Sequence, residues 1–177
     1  METPVKHTIW IKLIVACCVG ILIGLWITIF FPFKTHNKEA KLTDHVKLYY
    51  VAVGDNGKIG KQIGCEDSLV PVITPITPTK APLKAALETL FANKKQFSSS
   101  TGLTNSLYQS NLVVDYASVA TGTALVMLSG KVQLGGVCDD PRFVYQIKST
   151  VLQFPTINEA FIYLNKQPLE TYFSEKY

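Results

Sequence analysis

Leu134-Gly135-Gly136-Val137-Cys138-Asp139-Asp140-Pro141-Arg142 packs a strand end, a glycine turn, a cysteine and a helix start into nine residues. Asp140 before Pro141 reads as an N-cap followed by a favourable first helical residue. Asp139 and Asp140 suit the positive end of the helix dipole. Far upstream stands a second glycine-cysteine-acid stretch, Gly64-Cys65-Glu66-Asp67-Ser68-Leu69-Val70-Pro71. Cys65 and Cys138 are expected to meet, tying a long irregular loop to the start of the second helix.

Outward from the first stretch, Pro141 to Phe154 forms that helix, with Val144, Ile147, Val151 and Phe154 as its apolar stripe and Pro155 as its stop. Ile157 to Asn165 is the last long strand, and Gln167-Pro168-Leu169 adds a short one. Upstream, Asn111–Ala120 and Thr123–Ser129 flank Thr121-Gly122, a hairpin signal. Leu83, Ala86, Leu87, Leu90 and Phe91 make one stripe on a helix opened by Pro82, with Thr79 or a neighbour as its cap. Lys47 to Gly54 is the first strand. Between it and that helix, prolines 71, 75 and 78 leave Leu69–Ile73 as at most an interrupted edge strand. The resulting order is β-α-β-β-α-β. The expected class is α+β, a mainly antiparallel sheet with both helices on one face.

The N-terminal part divides into a tail at 1–12, an apolar segment at 13–33 and a polar stalk at 34–45. Leu13 to Phe33 carries no charge, and its roughly 21 residues at ~1.5 Å each cover a bilayer core of ~30 Å. The competing readings are a cleaved signal peptide and a lipoprotein anchor at Cys17. Bulky Phe30, Phe31 and Phe33 stand where a cleavage site needs small residues, and Lys12 interrupts the short run before Cys17. An uncleaved single-pass anchor is the expectation.

Orientation draws on two opposed signals. Lys34, Lys38, Lys41 and Lys47 follow the span, which favours a cytoplasmic domain. Of four cysteines, only Cys65 and Cys138 lie beyond it, and an isolated pair fits a disulfide in an oxidising compartment. The alternative is two buried free thiols. The pair outweighs the lysines, so the C-terminal domain is placed outside the cytoplasmic membrane.

The chemistry inventory is restrictive. His7, His36 and His45 all precede the domain at 46–177, which removes the usual general base and most zinc sites. No catalytic residue, metal or cofactor is expected. A net charge of +4 without an aromatic-basic stripe argues against nucleic acid. Gly54–Lys61 superficially resembles a phosphate loop but lacks its spacing and its Ser/Thr after lysine. Arg142 is the chain's one arginine, and its planar fork fits a carboxylate. Glu66 or Asp67 would serve as its structural partner. The functional alternative is an anionic ligand at the Cys65/Cys138 junction, surrounded by Arg142, Lys58 and Lys61.

The ordered set of features from Val46 to Phe173 resembles the GerMN domain of sporulation and spore-germination proteins. It comprises the strand Lys47–Gly54, the stretch Gly64–Pro71, the helix Pro82–Phe91, Gly102-Leu103, Leu128-Ser129-Gly130, the stretch Leu134–Arg142, the helix Gln146–Phe154 and the strand into Asn165–Leu169. The cysteine pair matches a subset of that family. The resemblance implies an extracytoplasmic, membrane-tethered module without known catalysis, contacting an envelope protein or its own copies. Some relatives resemble ring-building motifs. The chain has one copy where the sporulation protein carries two, so a sporulation role does not carry over directly. A cell-wall ligand at the cysteine junction is the other implied partner.

Overall fold

A computed structural model describes residues 42–98 and 100–174. The tail, the apolar segment at 13–33 and most of the stalk lie outside the described residues. Among the described residues, no helix is long and apolar enough to cross a membrane. The elements are β1 (Thr43–Ala52), β2 (Lys61–Gln62), β3 (Ser68–Thr79), α1 (Pro82–Ala92), β4 (Asn111–Ala120), β5 (Thr123–Lys131), α2 (Asp139–Val151), β6 (Glu159–Leu164) and β7 (Gln167–Pro168). The class is α+β, as expected, but the single expected sheet is two: β1-β3-β2 and β4-β5-β6-β7. Within these sheets only β5 and β6 run parallel. They are joined by α2, because a parallel neighbour needs a crossover.

The second sheet arises from β3. The proline-rich segment is a twelve-residue strand paired with β1 from Ala52↔Ser68 to Thr43↔Thr79. Pro71 and Pro75 are four residues apart, so on a two-residue repeat both missing N–H groups fall on the edge turned away from β1. That edge is covered by β2 only opposite Ser68 and Leu69. Prolines beyond it discourage pairing with another chain. The same pairing starts β1 at Thr43, so the stalk ends earlier than 45.

β1 has its other edge closed by side chains from α2 and a loop. Lys47 exchanges both backbone hydrogen bonds with the Gln153 amide, at 2.5 and 2.8 Å. The Tyr49 carbonyl accepts from Gln146 Nε2 at 2.8 Å. Val51 exchanges two backbone bonds with Thr104. Gln146 on α2 and Gln153 just past its end, seven residues on, therefore bond along one strand edge. This corrects the expected stripe of α2. Phe143, Gln146, Ile147, Thr150 and Val151 are buried, whereas Val144 and Phe154 are half-buried. Gln146 also accepts from the Ser106 N–H at 2.9 Å inside the protein. Gln146→Ala leaves that N–H and the Tyr49 carbonyl unpartnered, at ~1–3 kcal/mol for each buried group. A urea midpoint lowered with unchanged slope is the expected result.

Two sequence-derived caps are also corrected. α1 begins after Ala81 with no side-chain cap; Thr79 Oγ1 instead accepts from the Ala81 N–H at 3.0 Å. α2 begins at Asp139 with helical Cys138 at the N-cap position, two residues earlier than an Asp140 cap would set. The bond to Cys65 anchors Cys138 there. α2 ends at Val151, short of Pro155.

The main core lies between the helices and both sheets. The α1 stripe is buried as expected and packs on β1, β3 and β4. Ala124, Val126 and Leu128 of β5 and Ile162 and Leu164 of β6 face it. Each large side chain so buried contributes about 1.5–3 kcal/mol. The hairpin closes through Thr121 at φ 48° and Gly122 at φ 84°, the left-handed pair of a type I′ turn. Gly130 is a second demanding position, at φ 132°, where a Cβ would lie 1.9 Å from the Asn111 carbonyl oxygen. Gly130→Ala is expected to cost about 2–3 kcal/mol from overlap and backbone strain. Hydrogen exchange along β4 and β5 would show the pairing loosened there.

Candidate functional site: the braced start of α2

The turn at Gly64 to Asp67 is built against local preference. Cys65 and Glu66 both adopt positive φ, at 60° and 58°. Each such non-glycine residue costs ~1–2 kcal/mol. Tertiary bonds hold the turn: the Asn56 N–H donates to the Glu66 carbonyl at 2.7 Å and the Ile63 N–H to the Asp67 carbonyl at 2.8 Å. Cys65 and Cys138 form a disulfide, with Cα atoms 5.8 Å apart.

Beside the disulfide, Asp67 is fully buried. Its Oδ1 accepts from the Gly54 N–H at 2.9 Å, and its Oδ2 accepts from Arg142 Nε at 2.6 Å. Arg142 Nη1 donates to Asp139 Oδ1 at 3.1 Å, and the Gly135 N–H donates to Asp139 Oδ2 at 2.8 Å. Two carboxylates thus flank one guanidinium. Desolvation pulls the Arg142 pKa down, but the hydrogen bonds and charges of Asp67 and Asp139 more than offset it and leave it above its ordinary value. The strand end at Gly54, the turn at Cys65 and the first turn of α2 are locked together.

Sequence reasoning brought Cys65, Cys138, Asp67 and Arg142 to one place, and the structure joins them. It separates the others. Glu66 is exposed, and the buried acid of that adjacent pair is the one that meets Arg142. Lys58 and Lys61 are exposed and do not line the cavity beside Arg142. Lys58 lies near Asp55, whose pKa is lowered first by the Ile59 N–H it accepts at 2.9 Å. Gly54 to Gly60 is a run of turns leading into β2. Asp139, expected only to complement the helix dipole, is also a partner of Arg142. The spacing of three residues on one helix was the available signal for that.

The cavity beside Arg142 has a volume of about 510 Å³. Phe97, Tyr108, Gln96, Ser106 and Asp139 are among its lining residues. Phe97 is 61% exposed. Nothing in the linear pattern linked that loop to α2. Among the described residues, no group of three or more His, Cys, Asp or Glu is placed to hold a metal ion.

A family model described as Sporulation and spore germination, named Germane, matches residues 47–170. The chain belongs to the Germane, or GerMN, family. The match includes every residue of the brace. Among solved structures, this Germane chain is similar to the first GerMN domain of the sporulation protein GerM from Bacillus subtilis. The identity is 20% over 72% of this chain and 87% of that one, with a TM-score of 0.47. It is also similar to a candidate lipoprotein from Clostridium perfringens, at 16% identity over 76% and 82% of the two chains, with a TM-score of 0.41. No curated protein matches the chain.

Proposed function

We propose that this Germane protein is a non-catalytic assembly module of the bacterial envelope. It is tethered by residues 13–33 with its folded domain outside the cytoplasmic membrane, and it docks on further copies of itself. One observation carries this reading: the outer face of the four-stranded sheet carries a cluster of exposed apolar side chains. Val113 and Tyr116 of β4, Leu125 and Met127 of β5, and Phe161 of β6 are all exposed. Tyr116 and Met127 are register partners, as are Leu125 and Phe161, so the side chains form continuous rows. A bulge at Asp115 keeps β4 in phase with that face. Contiguous apolar patches mark interaction surfaces. The edges are less inviting. β3 carries prolines, β7 is two residues long, and β4 is bulged.

The size of the face favours tethered copies. Three strands ~4.8 Å apart and six to nine residues long give roughly 300–400 Å² per partner. A stable soluble complex uses about 800 Å² per partner. Confinement to one membrane supplies the missing stability as effective concentration. The disulfide, exposed at Cys65 and half-buried at Cys138, supports placement outside the cytoplasm. The anionic-ligand alternative is weakened, because Asp67 and Asp139 already balance the Arg142 charge.

The test is photo-cross-linking in membranes, with benzoylphenylalanine in place of Met127. Homodimers are expected, and Phe161→Asp should abolish them without lowering the melting temperature. Labelling at Met127 no more efficient than at exposed Val53, off that face, would refute self-docking.

A further inference from the structure

We infer that the cavity between the Phe97 loop and the start of α2 is a binding site for an uncharged oligosaccharide. This does not depend on the docking face, which is built from other residues. The cavity, at about 510 Å³, falls in the range of small-ligand sites, ~300–1,000 Å³. Its lining includes both aromatic and polar groups. Phe97 and Tyr108 supply the aromatic surface, and Phe97 is 61% exposed. Gln96, Thr104, Asp139 and Arg142 supply planar amides, hydroxyls and charges.

Charge decides the ligand class. A free anion would meet Arg142 already paired with two carboxylates, one of them buried. A free cation would meet the guanidinium. A hydroxyl both donates and accepts, so it can bond to the two members of an Arg–Asp pair together. The bonds to Asp67 and Asp139 take two N–H groups of Arg142, and a guanidinium has five in all. Each oxygen of Asp139 accepts one bond and retains a further lone pair.

A sugar ring provides both requirements: an apolar C–H face for Phe97 and a rim of hydroxyls for the polar groups. A peptide offers no such rim unless its side chains do.

The experiment is NMR titration of the full chain, held in a sugar-free detergent, with chitotetraose. Hyaluronan tetrasaccharide, which adds carboxylates to an N-acetylhexosamine backbone, is the second arm. Chitotetraose should shift resonances around Gly135, Gly136 and Phe97 saturably, and the hyaluronan fragment should bind more weakly. Phe97→Ala should weaken chitotetraose binding about tenfold, the scale of one aromatic contact, while Phe161→Ala leaves it unchanged. No saturable shift with chitotetraose, equal or tighter binding of the acidic oligomer, or indifference to Phe97→Ala would each overturn the assignment. Loss of cross-linking at position 127 bears only on the docking face.

Discussion

Replacing Cys65 and Cys138 together by serine lowers the melting temperature of the folded domain by roughly 10–20 °C. The bond closes a loop spanning 73 residues of sequence separation. In the chain-entropy model that contributes roughly 4 kcal/mol. For a domain between the small and medium size classes, each kcal/mol moves the midpoint by roughly 3–5 °C. Cys65 and Glu66 sit at positive φ, and without the bond to α2 the turn relaxes toward ordinary backbone geometry. Calorimetry with and without reductant checks this. Wild-type protein should shift in reductant by the amount the double variant loses, and the double variant should be indifferent to it.

Asp67→Ala has the next largest effect. It removes the buried acceptor of both the Gly54 N–H and Arg142 Nε. Arg142 is left largely buried, with only Asp139 beside it. Breaking a buried pair from one side costs ~3–5 kcal/mol, a large share of a stability of ~5–15 kcal/mol. Asp139→Asn should cost less, because Asp139 is partly exposed and Asp67 remains in place. The Asp67 and Cys65 substitutions should not be additive, since both release the same turn. Urea denaturation of the two single variants and the double measures the coupling. A loss below about 1 kcal/mol for Asp67→Ala would show that the pair does not brace the junction.

The parts of the fold that repeat were legible before any coordinates. The α1 stripe and the Thr121-Gly122 hairpin follow from periods of 3.6 and 2 and from turn chemistry. β3 was obscured by its prolines, which usually argue against a strand, yet here they blunt an edge. The α2 face was misjudged because Gln146 and Thr150 are polar in sequence and buried in space. Nothing in the sequence around Gln146 shows that a strand edge needs its bond. At the candidate site, the cysteine pair and Arg142 were readable because rare residues recur beside glycine and acid. Choosing Asp67 over Glu66 required the turn geometry, and the Phe97 cavity required the tertiary fold.

The most direct measurement is differential alkylation with mass mapping of this protein taken from intact envelopes. Thiol blocking before reduction should leave Cys65 and Cys138 unmodified, and their peptides should travel as one linked species until reductant separates them. Recovery of both residues fully alkylated without reduction would contradict the brace and the compartment together.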